Sequence, residues 1–249
     1  MKPFLLVSTR GEEEALDTEY QTYRLASGLS REELDLAEFD LLGLPPVDPQ
    51  QYAGIFVAGS PYGAGAEDDY ISQTQRTVRR ELTDLFTQLL EAETPFMATG
   101  TATSILAGLL GATVSSENAE FAELPDIELT PEGQEDPVSG AAPAVFVAYA
   151  NHGEALDELP EGAVRLARSL LTPIQMFRYG DRVYACQFSP DLNADLISSQ
   201  ANAFADAGDT GFGDVEALVS AGRHTEGDHD AAAVIRGFVK QFSGEDPEA

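Results

Sequence analysis

Tryptophan is absent from this chain of 249 residues, and cysteine occurs once, as Cys186. A lone cysteine excludes an internal disulfide framework and any zinc site built from several thiolates. Lysine is almost as scarce, confined to Lys2 and Lys240, and the 14 Lys+Arg face 43 Asp+Glu, for a formal charge of −29. Binding to nucleic acid needs clustered cations that track phosphates, so that function class is set aside, as is an anionic membrane surface. Long apolar runs are missing too. The longest covers about ten residues, Ala141 to Ala150, against the roughly 18 that a spanning helix needs. At the start, Met1-Lys2-Pro3 leads straight into a short apolar stretch rather than the apolar core of a secretory leader. These absences give the expectation of a soluble, cytoplasmic protein.

What is present argues for a folded globule: 43% apolar residues and 13 Phe, too many for an acidic disordered tail. The length suits one large domain or two small ones, and no linker isolates a second unit, so residues 1–249 are read as a single domain. Acidic residues are spread along the chain, with denser runs at Glu117 to Asp136 and Gly244 to Ala249. A solvated acidic surface explains them, and a shell adapted to high salt would give the same composition.

Apolar strands are expected at Phe4 to Val7, Ile55 to Ala58 and Phe96 to Ala98, and an alternating strand at Leu34 to Leu42 ahead of Pro45-Pro46. Helices are expected at Asp17 to Ser27, with Asp17 as N-cap and Gly28 as stop, at Tyr70 to Leu90, and at Ser104 to Leu110 before Gly111. This β-α-β-β-α-β-α order predicts a parallel sheet covered on both faces, with ligands at the carboxyl ends of its strands, where Gly59 and Gly100 fall. The second half reads as strands at Ala144 to Tyr149, Val164 to Ala167, Ile174 to Tyr179 and Val183 to Phe188, the last two joined by a hairpin turn at Gly180-Asp181. Helices at Ala194 to Ala207 and Ala231 to Phe242 close the chain around a Gly-rich acidic loop, and Asp228 or Asp230 is the expected cap of the last one.

Four blocks then stand out in order. They are Gly54-Ile55-Phe56-Val57-Ala58-Gly59-Ser60-Pro61, Pro95-Phe96-Met97-Ala98-Thr99-Gly100-Thr101-Ala102, Asn151-His152-Gly153-Glu154 and Tyr184-Ala185-Cys186-Gln187-Phe188-Ser189-Pro190-Asp191. From about Lys2 to Asn193 the chain resembles the class I glutamine amidotransferases, in their GMP-synthase-like branch, with 194–249 as a C-terminal extension. The resemblance implies a flavodoxin-like three-layer α/β/α fold, with a mostly parallel sheet and a small antiparallel extension. The family hydrolyses glutamine with a Cys-His-Glu triad. Its thiolate attacks from a strand-to-helix elbow written Gly-Ile-Cys-x-Gly, and its His and Glu lie in a Gln-Phe-His-Pro-Glu segment at a strand end. Backbone N–H groups from the Gly-Ser-Pro turn and from the residue after the nucleophile hold the oxyanion.

All three triad positions depart from that pattern: Gly100 replaces the cysteine, Ser189 the histidine and Asp191 the glutamate. Glycine cannot attack and serine cannot act as the base. Glycine does enter the φ > 0 region of an elbow without strain, so Gly100 is expected to keep the turn while discarding the reaction. By strand alternation Cys186 and Phe188 point away from the face of Gln187 and Ser189, into packing. Thr99, Thr101 and Ser104 carry hydroxyls near the elbow, where turn and helix-start hydrogen bonding accounts for them and no adjacent imidazole activates them.

By the same resemblance Gly59, Ser60, Thr101, Asn151, His152 and Gly153 would line a pocket for glutamine or a similar amino-acid-like ligand, with His152 either a pocket contact or a hydrogen-bonded turn residue. His224 and His229, five apart among acids, read as a metal pair or as solvated loop, and no cofactor is expected. Three functions follow: an amidotransferase-like domain without glutaminase activity that keeps its pocket, an active hydrolase using a displaced nucleophile with a separate synthase chain, or a regulatory partner with a vestigial pocket. No P-loop pattern is present, so any synthase would have to be that separate chain.

Overall fold

The computed structural model describes residues 2–39, 43–59, 72–192 and 230–244, with Ala122 as backbone alone. Its centre is a nine-stranded sheet. Five neighbouring strands are mutually parallel: β1 (Phe4–Ser8), β2 (Leu34–Glu38), β3 (Ile55–Val57), β4 (Phe96–Thr99) and β13 (Val183–Cys186). Every residue of β1, β3, β4 and β13 is buried, as strands covered on both faces must be. The other four, β12 (Met176–Tyr179), β11 (Ala163–Arg168), β7 (Asp126–Leu129) and β8 (Val145–Val147), continue the sheet with antiparallel pairing. The order across the sheet is β2-β1-β3-β4-β13-β12-β11-β7-β8. Two small two-stranded sheets lie outside it, β5 (Val114–Ser115) with β10 (Ala155–Leu156) and β6 (Glu120–Glu123) with β9 (Ala150–His152).

Helices cover both faces. On one, α1 (Glu13–Ser27) contributes Tyr20 and Tyr23, and the last helix, α5 (Ala232–Phe242), contributes Ile235 and Phe238, to a core with Phe4, Phe56, Met97 and Tyr184. On the other, α2 (Gln73–Glu91) and α3 (Thr101–Leu109) pack Val78, Leu82, Phe86, Ile105 and Leu106 on Leu5, Ile55, Phe96 and Ala185. A fourth, short helix, α4 (Pro131–Glu135), follows β7 and is capped by Thr130. The three-layer α/β/α arrangement expected from the sequence is therefore the architecture, and its antiparallel extension comprises four strands.

Local chemistry explains the boundaries. A capping box starts α2: Ser72 Oγ accepts from the Gln75 amide at 3.2 Å and Gln75 Oε1 accepts from the Ser72 amide at 2.7 Å. Tyr70 and Ile71, placed in that helix by the sequence pattern, lie outside the described residues, and the strand expected to Leu42 is described as far as Glu38. Helix α1 begins earlier than expected. Asp17 sits within it, and Glu12 occupies the cap without a side-chain bond, while Glu13 and Glu14 complement the helix dipole in the first turn. Gly28 closes it at φ 74, as read from the sequence. Helix α3 likewise starts at Thr101, directly after the Gly100 turn, rather than at Ser104.

The cap expected of Asp230 is corrected. Ala231 is the cap residue of α5, and the Asp230 carboxylate instead pairs with Arg236 at 2.5 Å. Asp228, the helix expected at Ala194 to Ala207 and the His224/His229 pair lie outside the described residues. No helix among the described residues is long and apolar enough to cross a membrane.

Candidate functional site

Because β1, β2, β3, β4 and β13 run the same way, Ser8, Glu38, Gly59, Gly100 and the 187–191 segment emerge at one edge of the sheet. Thr99 pairs with Cys186 in register, and the Gly100 amide donates to Cys186 O at 2.9 Å, so the turn at 100 lies directly beside the strand that runs on to Ser189. Gly100 has φ 52 and ψ −128, a conformation that side-chain-bearing residues rarely adopt. A Cβ at Gly100 would meet only the Gly59 Cα, at 3.5 Å, so the turn demands glycine through its dihedral angles and leaves ordinary room for a side chain. Gly59, Gly100, Thr101 and Ser189 are each half-exposed among buried neighbours, as residues at a mouth would be.

The hydroxyls around the turn are engaged. Thr99 Oγ1 is hydrogen-bonded to Tyr23 Oη at 2.9 Å and accepts the Gly59 amide at 3.1 Å. Thr103 Oγ1 donates to Cys186 O at 2.7 Å, which ties the first turn of α3 to the end of β13. Cys186 itself is fully buried in the α1/α5 core with Phe188, on the side away from Gln187 and Ser189, and burial followed by the Asp191 charge pushes its thiol well above the usual value. Ser60 lies outside the described residues.

The strand end carrying Ser189 is fixed by backbone. Its amide donates to Tyr149 O at 2.8 Å, and Gln187 Nε2 donates to Glu154 O at 2.8 Å, which draws the Asn151-His152-Gly153-Glu154 segment toward this edge. Burial raises the half-buried Glu154 carboxyl, against the opposing charge of Arg79. Asn151 is half-buried and Gly153 exposed. His152, the one histidine among the described residues, is buried in a different network. Its Nε2 lies 3.2 Å from Glu120 Oε2, and Glu120 also accepts from Ser169 Oγ at 2.8 Å and from Gln175 Nε2. Burial pushes the Glu120 carboxyl up, but these bonds outweigh it and hold the group below its ordinary value. Carboxylate stands between serine and imidazole here, so the trio lacks the serine–imidazole contact that nucleophilic catalysis needs.

Asp191 turns to α1. Its Oδ2 lies 2.8 Å from Thr22 Oγ1, whose single proton also faces Glu19 O at 2.8 Å. Thr22 Oγ1 is the donor toward both, so its one proton is shared between the Asp191 carboxylate and Glu19 O. Glu19, also buried, is held by Ser8 Oγ and by Arg10 Nε at 3.1 Å. Burial pushes Asp191 up to about 6; the Thr22 bond opposes this, the Glu19 charge adds to it, and Arg10 offsets part. No sequence signal pairs Asp191 with Thr22, since 169 positions separate them.

Similar solved structures share this fold. A glutamine amidotransferase from Thermotoga maritima matches with a TM-score of 0.72 at 18% identity, covering 98% of this chain and 100% of that one. A glutamine amidotransferase from Methylobacillus flagellatus matches at 0.67 and 13% identity, over 100% and 98%. A candidate GMP synthase subunit from Thermoplasma acidophilum matches at 0.62 and 15% identity, over 98% and 95%. No protein-family profile and no curated protein matches the sequence. The architecture is thus that of the glutamine amidotransferases.

The geometry makes two predictions. Gly100→Ala is expected to cost about 1–3 kcal/mol through its dihedral angles, whereas Gly108→Ala, exposed in α3 with nothing near its added Cβ, should gain about 0.5–1 kcal/mol. Urea denaturation of both variants checks this, and an unaffected Gly100→Ala would contradict the strained turn. Asp191 has a folded-state value raised from 3.8 to about 6, so its stabilising contribution is full below pH 4 and is lost as pH rises through about 6. The loss is on the order of 3 kcal/mol. Asp191→Asn should therefore be more stable than the parent at pH 7 to 8, with the difference shrinking toward pH 4. Melting temperatures across that range test it, and a difference independent of pH would refute the raised Asp191 carboxyl.

Proposed function

We propose that this protein is an amidotransferase-fold protein without glutaminase activity, whose cleft binds a small amino-acid-like ligand or serves a partner chain as a regulatory subunit. The observation that carries the reading is the turn at Gly100: its backbone is held as an elbow, and no side chain stands on it to attack. The neighbouring strand end presents Ser189 where an imidazole would be needed as base. Asp191, at the position of the orienting carboxylate, is committed to Thr22. Cys186 supports the reading by facing the opposite core with a thiol kept neutral, and a neutral thiol is a poor nucleophile. Of the amides that could hold an oxyanion, that of Gly59 already donates to Thr99 Oγ1. Gly59, Ser60, Thr101, Asn151, His152 and Gly153 remain the proposed pocket residues.

Purified protein is expected to release no ammonia or glutamate from glutamine above the uncatalysed background. Turnover at rates usual for enzymes, from about 1 per second upward, would overturn the reading in favour of a displaced nucleophile and a separate synthase. The Gly100→Cys, Ser189→His, Asp191→Glu triple variant serves as the comparison for a restored triad. Ligand binding is checked by thermal shift with glutamine, glutamate and related amides. Saturation at 100 times the dissociation constant adds about 2.7 kcal/mol, and the absence of any shift would remove the ligand arm and leave the partner role.

A further inference from the structure

At the antiparallel half of the same sheet edge, Leu170 and Leu171 stand 96% and 52% exposed. Met176 pairs with Cys186 and with Ala167, and Arg168 pairs with Glu128, so the turn after β11 projects from the edge that carries Gly100 and Ser189. This turn is not loose. Its amides bond within it (Ser169 N–H to Thr172 O at 2.9 Å, Thr172 N–H to Ser169 Oγ at 3.0 Å), and buried Thr172 donates through Oγ1 to Asn118 O at 2.8 Å. The leucines are thus presented outward on a fixed base. Beside them lies a cavity of about 680 Å³, to which Leu124 and Pro125 add apolar wall. Isolated exposed leucines are ordinary, but here an adjacent pair borders a cavity whose wall alternates apolar and acidic groups.

Charge selects the occupant. Of the four carboxylates lining the cavity, Glu128 is paired with the one guanidinium, that of Arg168, and buried Glu120 is taken up by His152, Ser169 and Gln175, which leaves Glu123 and Asp126. The Arg168 Nη2 and Nε lie 2.8 and 3.1 Å from Glu128 Oε2. Glu123 and Asp126 are exposed at the rim. A second copy of a chain with charge −29 would be repelled, as would nucleic acid or an anionic membrane. We propose that this face docks a partner protein through a segment carrying apolar side chains flanked by arginine or lysine, the apolar groups entering beside Leu170 and Leu171 and the cations meeting Glu123 and Asp126. The inference rests on the partner arm of the function proposed above. The floor of the cavity reaches toward the cleft: Gln175 binds Glu120 through its side chain, and its backbone O accepts the Gln187 amide at 2.8 Å.

The test uses the full chain and a fluorescent synthetic peptide with leucine and phenylalanine at its centre and arginines at both ends, read by anisotropy. Two control peptides replace the apolar centre by serines or the arginines by glutamines. Leu170→Ser/Leu171→Ser should weaken binding of the first peptide about tenfold or more, and Leu25→Ser, an exposed leucine on α1, should leave it unchanged. Both control peptides should bind weakly. Glu123→Lys/Asp126→Lys provides a second variant that keeps the leucines and should lose the peptide as completely. Absence of binding, equal binding of the serine control, equal loss in Leu25→Ser, or no loss in either double variant overturns the proposal. So does a dimer seen by sedimentation in the parent and lost in the leucine variant, since the occupant would then be a second copy. Ammonia release from glutamine would sink the silent cleft and leave this result standing, so the two readings fail separately.

Discussion

One positive-φ turn, at Gly100, organises the edge of the sheet where this protein's chemistry would lie. The ends of β3 and β4 lie side by side, so that a Cβ at Gly59 would meet Thr99 O at 3.4 Å and the Gly100 Cα at 3.6 Å, ordinary contact distances. The chain then reverses at φ 52 and enters α3. The turn is secured by the Gly100 amide on Cys186 O and by Thr103 Oγ1 on the same oxygen, and by Thr99 Oγ1 bridging Tyr23 and Gly59. All of these bonds are independent of any side chain at position 100. Glycine at position 100 spares this turn the strain that a Cβ would bring at φ 52.

Two buried acids frame that edge, and they work in opposite directions. Asp191 lacks enough donors: Thr22 offers one proton and Glu19 adds a like charge, so burial favours the neutral acid. Glu120 has an excess of them, from His152, Ser169 and Gln175, and remains charged despite its burial. Acidification therefore relieves one network and weakens the other, which separates their contributions by pH. Neither arrangement assembles a base next to the elbow.

Much of the fold was legible in the sequence. Short continuous apolar runs at Phe4 to Val7, Ile55 to Ala58 and Phe96 to Ala98 become fully buried parallel strands, because a strand covered on both faces needs no polar side. The hairpin at Gly180 was legible through turn chemistry. The acidic run from Glu117 to Asp136 was not: read as solvated surface, it holds β6 and β7. In β7, Asp126 and Glu128 point out while Ile127 and Leu129 are buried, and four residues give too short an alternation to stand out among acids. The partners of the buried acids were also hidden. Glu120 lies 32, 49 and 55 positions from His152, Ser169 and Gln175, and only the folded sheet brings them together.

The chain shares its fold with solved glutamine amidotransferases. The sharpest test of the proposed silent cleft is intact-mass analysis after incubation with a glutamine-shaped diazoketone, which alkylates a nucleophile placed at the amide position. The account predicts an unchanged mass for the native sequence. A single adduct on any residue of the cleft, prevented by an excess of glutamine, would contradict it.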